Sequence, residues 1–321
     1  MLLSIILPVY NVEAYLGRCI NSCLCQDLPK DNYEIIVVID GSPDNSIEVA
    51  RRFQSDNGNV KIVVRENGGL SAARNTGLEA ARGDYVWFID SDDYIEENIL
   101  GDIVRNLQSN QLDALWVGWQ DVDEKGMVIP PFAPHYHSAD KLIMSGCEFM
   151  ARILNNYLYA WSFIYRRSFL VTYQLRFTEG MYYEDTDFAF RSLPLVGKIR
   201  LYDKTCYNYL QRNGSIVHFT NKRKLEDICK NCVSANNFLK SSDDSLKRFY
   251  QMCFTSYYML FVKEVLKAKN KEFEAYLITQ TKQNGFGNVS MFGNFTTKII
   301  GLLYNLLGVR LSLCILSKIV R

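Results

Sequence analysis

In the first hundred residues, four short apolar runs rich in β-branched side chains alternate with stretches of helical character. The runs cover residues 3–11, 33–41, 59–67 and 84–90. Each run is continuous rather than alternating between apolar and polar residues, which is typical of parallel strands covered on both faces. The repeated order of strand and helix therefore predicts an α/β domain with right-handed crossovers.

The stretches between these runs carry helix signals. Apolar residues recur at near helical spacing, and a serine followed by a proline is typical of an N-cap and a first-turn position. We therefore expect four helices in this part of the chain. They are marked by Val12 to Leu24, by Ser42 and Pro43 ahead of Ile47, by Leu70 to Ala81, and by Ile95 to Leu107.

Beyond these helices the pattern becomes mixed. A strand is predicted at 113–122, a proline-rich loop at 129–137, a helix near 146–158 and a strand near 160–170. From about residue 216 onward the chain is basic and helical in character, without strand alternation. We expect a first domain over residues 1–216 and a helical C-terminal region over residues 217–321.

The overall composition excludes some classes of partner and site. With 36 basic and 35 acidic residues the formal net charge is +1, which gives no support to a nucleic-acid partner. Nine cysteines, an odd and scattered number, do not resemble a disulfide framework, so we expect a reducing cytoplasm. Cys229 and Cys232 form a CxxC without a second pair or a histidine cluster, which favours buried helical thiols over a zinc site.

Polar side chains follow the predicted strands at the points where the strands end. Pro8 and Tyr10 lie at the end of the first run, Asp40 at the end of the second, and Asp90 and Asp92 at the end of the fourth. In open α/β sheets, ligands bind beyond the carboxyl ends of the strands. We therefore expect these residues to line one crevice.

The fourth run ends in a first acidic cluster, formed by Asp90, Asp92 and Asp93. Residues two apart in an extended segment point the same way, so Asp90 and Asp92 would present a rim of hard oxygen ligands. Such a rim suits Mg²⁺ or Mn²⁺, which typically bind one or two carboxylates together with substrate phosphates. The alternative is that Asp92 or Asp93 only caps a helix starting near Tyr94.

Asp40 and Tyr10 are candidates for contacts with a nucleobase. A carboxylate at a strand end can accept an N–H of a flat base, and a tyrosine can stack on its ring. The alternative is that Asp40 and Gly41 only form a turn. The chain has neither a GxGxxG after the first strand nor a GxxxxGK[ST], so neither a dinucleotide-binding motif nor a P-loop is present.

A second acidic cluster, formed by Glu184, Asp185 and Asp187, lies among aromatic residues. Carboxyl groups in such surroundings can have a raised pKa, which suits a general base working near neutral pH. A helix N-terminus enriched in acids is the alternative interpretation. Farther along, Arg212 could hold a phosphate or simply be solvated.

Several separated motifs resemble the family 2 glycosyltransferases in order and spacing. They are SIILPVYN, DGSPDNS, NGGLSAARNTGLEAARGDYVWFIDSDD, YYEDTDF and YNYLQRNGSI, and the match covers about residues 3–216. The resemblance implies a GT-A type nucleotide-sugar-binding domain with a mixed central sheet. It also implies an inverting transfer of a sugar from a nucleoside diphosphate to an acceptor hydroxyl. One departure is Ile39, where many family members have the first of two acids.

By position, the resemblance implies roles for residues on the donor side. Pro8, Tyr10 and Asp40 would contact the base, with uracil as the expected one. Arg74 and Arg212 would place positive charge near the diphosphate.

The resemblance also implies roles for both acidic clusters. Asp90 and Asp92 match the DxD motif of the family, with Asp92 as the direct ligand of Mn²⁺ or Mg²⁺. Asp185 matches the catalytic base that deprotonates the acceptor, and Glu184 is its neighbour.

The C-terminal tail combines apolar and basic residues. No Asp or Glu occurs from Ala275 to Arg321, whereas the basic residues there are Lys282, Lys298, Arg310, Lys318 and Arg321. A bilayer-spanning segment would place Arg310 near the membrane centre at a cost of at least about 2.5–3.5 kcal/mol, so a helix lying on the membrane is favoured. The alternative is a helix packed on its own domain or on a second subunit of a homodimer.

Membrane binding would place the protein on the inner face of the cytoplasmic membrane. An acceptor linked to a polyprenyl diphosphate, as in bacterial surface polysaccharide assembly, is then expected. Two other functions use similar features: a nucleotidyltransferase acting on sugar phosphates, and a non-catalytic nucleotide-binding scaffold. The segment after the first strand lacks the glycine-rich basic loop typical of a nucleotidyltransferase.

Overall fold

A computed structural model describes residues 1–130, 142–154, 157–212 and 220–286, together with Gly308. The chain forms two compact units. The first comprises residues 1–149, 158–180 and 184–213, and the second comprises 150–157, 181–183 and 214–321. The boundary predicted at residue 216 falls outside the described residues and stays a prediction, as do the interpretations of most of the proline-rich loop and of the tail beyond residue 286.

The described part of the first unit contains an eight-stranded mixed sheet. The strands are β1 (Leu3–Val9), β2 (Tyr33–Asp40), β3 (Val60–Arg65), β4 (Tyr85–Phe88), β5 (Tyr94–Ile95), β6 (Ala114–Val122), β7 (Phe163–Arg166) and β8 (Ile199–Leu210). Their order in the sheet is β3-β2-β1-β4-β7-β6-β8-β5. Strands β1, β2, β3 and β4 are parallel to their neighbours within this group, whereas β7 is antiparallel to both β4 and β6. The predicted α/β domain with a mixed sheet is confirmed.

Seven helices accompany these strands along the chain, among the residues that the structure describes. They are α1 (Glu13–Leu24), α2 (Ser46–Asp56), α3 (Leu70–Ala80), α4 (Leu100–Ser109), α5 (Gly146–Arg152), α6 (Arg167–Thr172) and α7 (Glu184–Ser192). Strands β1 and β2 are buried along their whole length, which explains why their sequences are apolar without alternation.

Helix α3 packs unusually closely on the sheet. Its small residues Ala72, Ala73 and Gly77 are all buried. A Cβ atom at Gly77 would lie 2.3 Å from Cγ2 of Ile6 in β1, so only glycine allows this approach. The close packing holds Arg74, on the same helix, inside the unit rather than at its surface.

Two predicted helix starts are wrong. Helix α2 begins at Ser46, not after Ser42, because Asp44 accepts a hydrogen bond from the Ser46 N–H while Ser42 donates to Asp44 in the preceding turn. Helix α4 begins at Leu100, because Ile95 is extended and pairs with Tyr207 in β8.

The elements in the middle of the chain are shorter than predicted. Helix α5 ends at Arg152 rather than near 158, and a short 3₁₀ turn at Ala160–Ser162 comes before β7. The strand predicted near 160–170 is only four residues long, because the chain turns into α6 at Arg167.

The described part of the second unit contains three long helices, as predicted from the C-terminal sequence. They are α8 (Lys222–Ser241), α9 (Asp244–Ala268) and α10 (Lys271–Gln283). Cys229 and Cys232 are free and buried on α8, as expected of structural thiols. Among the helices described, none combines the length and the apolar character needed to cross a bilayer.

Candidate active site

The two acidic clusters predicted from sequence are joined by Arg74. Its Nη2 donates to Oδ1 of Asp90 at 2.7 Å, and its Nη1 donates to Oε1 of Glu184 at 2.5 Å. The side chain of Arg74 is only 3% exposed, and its guanidinium lies 5.2 Å from the ring centre of Phe177. Burial by itself lowers the pKa of Arg74, but the two carboxylates more than offset this effect and raise it. The guanidinium therefore remains charged and fixes both clusters around it.

Asp185 lies beside this ion-pair network at the start of α7. Burial, followed by the charge of Glu184, raises the pKa of Asp185 to about 7, although Arg74 acts in the opposite direction. Oδ1 of Asp185 accepts a hydrogen bond from the Thr186 N–H at 2.8 Å, and the residue keeps partial exposure. A carboxyl group with this pKa can accept a proton near neutral pH.

Asp187, the third member of the second cluster, is held by its own neighbours. Its Oδ2 accepts hydrogen bonds from Arg191 Nη2 and from the Thr178 hydroxyl, both at 2.7 Å. These contacts stabilise helix α7 and the segment before it. Asp187 therefore has a structural role and is a suitable control for Asp185.

Asn75, next to Arg74 on α3, connects the helix to the segment before α7. Its Nδ2 donates to the Phe177 carbonyl and its Oδ1 accepts from the Phe177 N–H, both at 2.9 Å. This residue is not among the candidates identified from the sequence. The signal was present in the motif containing Arg74, but its partner lies 102 residues away.

The first acidic cluster contains two different kinds of carboxylate. Asp93 is buried, and its carboxylate accepts hydrogen bonds from the Tyr207 hydroxyl at 2.6 Å and from the Leu210 N–H at 2.8 Å. Asp93 thus ties the loop after β4 to strand β8. Tyr94 begins β5 rather than a helix, so the alternative that Asp92 or Asp93 caps a helix there is wrong.

Asp92 is paired with Arg212. Nε of Arg212 donates to Oδ2 of Asp92 at 2.7 Å, and the guanidinium lies 5.1 Å from the ring centre of Tyr15. Burial raises the pKa of Asp92, and the charge of Asp90 adds to the shift, although Arg212 opposes it. A further positive charge near Asp90 and Asp92 would therefore be stabilised.

The first acidic cluster could bind a divalent cation that takes its remaining ligands from a bound phosphate group and water. Arg74 binds one carboxylate oxygen of Asp90, and Arg212 binds one carboxylate oxygen of Asp92. Each carboxylate keeps further lone pairs that could bind a metal. Within the described ranges, no group of three or more His, Cys, Asp or Glu side chains is arranged to hold a metal ion. Such an ion would complete its coordination with phosphate and water, which is the usual situation for Mg²⁺.

The residues predicted to contact the base differ in accessibility. Tyr10 is 49% exposed, whereas Pro8 is buried and its carbonyl accepts a hydrogen bond from the Ser91 hydroxyl at 2.6 Å. Tyr10 therefore presents an exposed ring just after β1, the strand that neighbours β4. Contact between either residue and a base stays a prediction.

Asp40 organises the loop before α3. Its side chain is 3% exposed and accepts hydrogen bonds from Arg65 at 2.8 Å, from the Gly68 N–H at 3.0 Å and from the Gly69 N–H at 2.8 Å. Its predicted contact with a base therefore remains untested, while its contacts within the chain are structural. The predicted contacts of Arg74 and Arg212 with a diphosphate also stay predictions, since both are seen paired with carboxylates.

The chain resembles known proteins both in sequence and in fold. The model of the family "Glycosyl transferase family 2" matches residues 4–173. The uncharacterized glycosyltransferase EpsJ of Bacillus subtilis is 32% identical over 228 residues, which are 70% of this chain and 66% of EpsJ. The putative glycosyltransferase EpsH of the same organism is 30% identical over 238 residues, which are 70% of this chain and 64% of EpsH. The chain thus spans just under two thirds of the length of these two relatives.

Solved structures of TarS from S. aureus share the fold. The crystal structure of TarS 1–349 has a TM-score of 0.68 and 21% identity, covering 98% of this chain and 89% of that one. The same fragment in complex with UDP has a TM-score of 0.62 and 24% identity, covering 80% of this chain and 70% of that one. The predicted GT-A type fold is confirmed by this likeness. Because the family model matches more than half of the residues of this chain, the chain belongs to glycosyl transferase family 2.

Proposed function

We propose that this protein is an inverting glycosyltransferase that transfers a sugar from a UDP-sugar to an acceptor hydroxyl. The observation that carries the proposal is the bridge made by Arg74, which holds Asp90 and Glu184 on one guanidinium with Asp185 beside it. Direct displacement at an anomeric carbon needs a base on one side and stabilisation of the leaving diphosphate on the other. The two acidic clusters supply candidates for both tasks.

Asp185 is the proposed base. The hydroxyl of the acceptor gives its proton to the Asp185 carboxylate as the oxygen attacks the anomeric carbon, and the bond from that carbon to the diphosphate breaks. A single displacement of this kind inverts the configuration at the carbon. The pKa of about 7 suits this role, because a base is most effective when its pKa lies near the working pH.

The donor would bind at the ends of β1, β2 and β4. Tyr10 would stack on the base, and Pro8 and Asp40 would complete this side of the site. Asp90 and Asp92 would hold Mn²⁺ or Mg²⁺, which supplies positive charge to the diphosphate when bound. Arg212 would approach the same phosphates from the end of β8. The complex of TarS with UDP supports UDP as the nucleotide to test first.

The acceptor would be a saccharide, and we propose a lipid-linked one used in bacterial surface polysaccharide synthesis. The support is the basic and apolar composition of residues 275–321, which fits a helix lying on the inner face of the cytoplasmic membrane. Truncation after Thr297 followed by membrane fractionation tests this part. Release of the shortened protein from the membrane fraction would support it, and an unchanged distribution would contradict it.

The reaction itself is tested by incubating the protein with a panel of UDP-sugars, with and without Mn²⁺, and measuring the release of UDP. We expect UDP release from at least one sugar, dependent on the metal. Release of pyrophosphate from UTP and a sugar phosphate would instead identify a nucleotidyltransferase. Binding of UDP without any turnover, including with added saccharides, would favour a scaffold.

A further inference from the structure

A stack of aromatic rings starts at the first acidic cluster. The hydroxyl of Tyr207 accepts a hydrogen bond from the Asp90 N–H at 3.2 Å and donates one to Oδ2 of Asp93 at 2.6 Å. The ring of Tyr207 lies parallel to that of Trp161, with centroids 4.2 Å apart and an angle of 4° between the planes. The position of Trp161 is thus fixed relative to the carboxylates.

The stack continues to rings that keep partial exposure. Tyr159 stacks on Trp161 with a centroid distance of 4.8 Å and an angle of 8°. Tyr209 is two residues after Tyr207 in β8, so its side chain points to the same face, and its ring lies 5.6 Å from Trp161. Tyr207 and Trp161 are buried, whereas Tyr159 and Tyr209 are only partly so. We call Tyr159 and Tyr209 the aromatic shelf.

Polar groups accompany the aromatic shelf. Asp121 of β6 pairs in register with Tyr209 of β8, so the two side chains share a face of the sheet. Asp121 is partly exposed, and its carboxylate accepts a long hydrogen bond of 3.3 Å from Gln211. With the residues that the structure describes, the hydroxyl of Tyr209 forms no hydrogen bond.

A ring surface bordered by a carboxylate and a hydroxyl matches the chemistry of a pyranose. The C–H face of a sugar ring packs on aromatic faces, and its hydroxyls need hydrogen-bond partners at the edge of that surface.

The sheet order separates the aromatic shelf from the proposed base-binding residues. Tyr10 follows β1 and Asp40 ends β2, whereas Tyr209 belongs to β8, and β4 with its acidic cluster lies between these groups. A nucleotide at the ends of β1 and β2 would have its diphosphate at β4. The sugar ring on the aromatic shelf would then lie beyond the transfer point, on the side from which an acceptor arrives.

We propose that Tyr159, Tyr209 and Asp121 form a subsite for a pyranose ring of the acceptor saccharide. This inference rests on the proposed glycosyl transfer and specifies where that reaction binds its acceptor. The rings of the aromatic shelf pack on one face of the sugar, and Asp121 accepts hydrogen bonds from its hydroxyls.

Saturation-transfer NMR with simple glycosides tests the subsite directly. The probes are the methyl β-glycosides of glucose, galactose and N-acetylglucosamine, each added to the full chain. We expect at least one glycoside to receive saturation from the wild-type protein. Affinity should fall about tenfold in Tyr159→Ala and in Tyr209→Ala, and the Tyr→Phe variants should retain the stacking contribution. Asp121→Asn should also weaken binding.

The control is Tyr173→Ala, which removes a tyrosine that is 49% exposed at the end of α6 and should leave glycoside binding unchanged. No saturation of any glycoside by the wild-type protein, or equal binding by the alanine variants, would overturn the subsite. UDP-N-acetylglucosamine and UDP are then added separately as competitors of the glycoside. If only UDP-N-acetylglucosamine abolishes the saturation of the glycoside, the aromatic shelf binds the donor sugar, and the proposed acceptor subsite is overturned.

A third readout separates this inference from the proposed function. The affinity for UDP with Mn²⁺, measured by calorimetry, should stay within about twofold of wild type in the variants of the aromatic shelf. The reason is that the proposed nucleotide site, at the ends of β1 and β2, lies on the other side of β4 from the shelf. If the wild-type protein binds UDP and turns over a UDP-sugar but binds no glycoside, only the subsite fails. If it releases no UDP from any sugar, the proposed function fails, whatever the glycosides show.

Discussion

Arg74 and Glu184 form a buried ion pair across 110 residues of sequence, with Nη1 of the arginine 2.5 Å from Oε1 of the glutamate. The same guanidinium also binds Asp90, so one side chain joins the end of β4 to the start of α7. Removing one partner of a buried pair is costly, about 3–5 kcal/mol, because the remaining charge loses its compensation. Arg74 therefore positions the two acidic clusters relative to each other.

Arg74→Lys should reduce transfer about 100-fold, because an ammonium group cannot bind two carboxylates in the planar fork of a guanidinium. Arg74 also lowers the pKa of Asp185, so weakening this effect should raise that pKa further. Activity that requires deprotonated Asp185 would then appear only at higher pH. The pH profile of kcat/KM should show its acid limb shifted upward.

The matched control for this prediction is Arg51→Lys, which changes an exposed arginine paired with Glu48. Its pH profile should coincide with that of the wild type. An unshifted acid limb in Arg74→Lys, despite lower activity, would show that Arg74 does not influence the base.

Gly77→Ala should destabilise the protein by about 1–3 kcal/mol, because its methyl group would lie 2.3 Å from Cγ2 of Ile6. Helix α3 would have to move away from β1, and Arg74 would move with it. Chemical denaturation and the rate of UDP release should both show the loss. Gly58→Ala is the control, since a Cβ there has no neighbour within 4 Å. Equal stability of the two variants would contradict the close packing of α3.

Asp185→Asn should stabilise the folded protein at alkaline pH. A carboxyl group whose pKa is raised by folding favours the protonated form, so its stabilisation is present at acid pH and is lost as the pH rises from about 4 through 7. Asparagine avoids this loss. The Tm of the variant should exceed that of the wild type at pH 8, and the difference should shrink toward pH 5. A lower Tm of Asp185→Asn than of the wild type at pH 8 would argue against a raised pKa of Asp185 in the folded protein.

The parallel part of the sheet was predictable from sequence because burial on both faces leaves an apolar run in each strand. Strand β5 was not, because Ile95 continues a helical spacing locally and pairs with a strand more than a hundred residues later. The start of α2 was missed because Asp44, rather than Ser42, accepts a hydrogen bond from the N–H of Ser46, the first residue of the helix.

The composition of the acidic clusters was visible in the sequence, but their connection was not. The motif containing Arg74 suggested a positive charge near phosphate, whereas the structure pairs it with Asp90 and Glu184. Contacts of this kind depend on the close approach of α3 to β1, and a local pattern does not contain that information. The alternation of Tyr207 and Tyr209 along β8 was a signal that could have indicated the ring stack.

Asp92→Ala should weaken the binding of UDP in the presence of Mn²⁺ by about tenfold or more, because one of the two carboxylates proposed to hold the metal would be lost. Calorimetry with and without Mn²⁺ measures this. Removing the metal with a chelator should weaken the wild type and leave the variant nearly unchanged. Asp56→Ala, at the exposed end of α2, is the control. Equal UDP affinity of Asp92→Ala and wild type with Mn²⁺ would exclude Asp92 as a ligand.

The most direct measurement compares the rate of sugar transfer by Asp185→Asn and by Asp187→Asn with that of the wild type. Asp187 is the appropriate control, because it lies on the same turn of α7 and is bound to Arg191 and Thr178. We predict that Asp185→Asn loses about 10²–10⁴-fold in rate with UDP affinity within a few fold of wild type, and that Asp187→Asn keeps most of its activity. Full transfer by Asp185→Asn would contradict the assignment of the base.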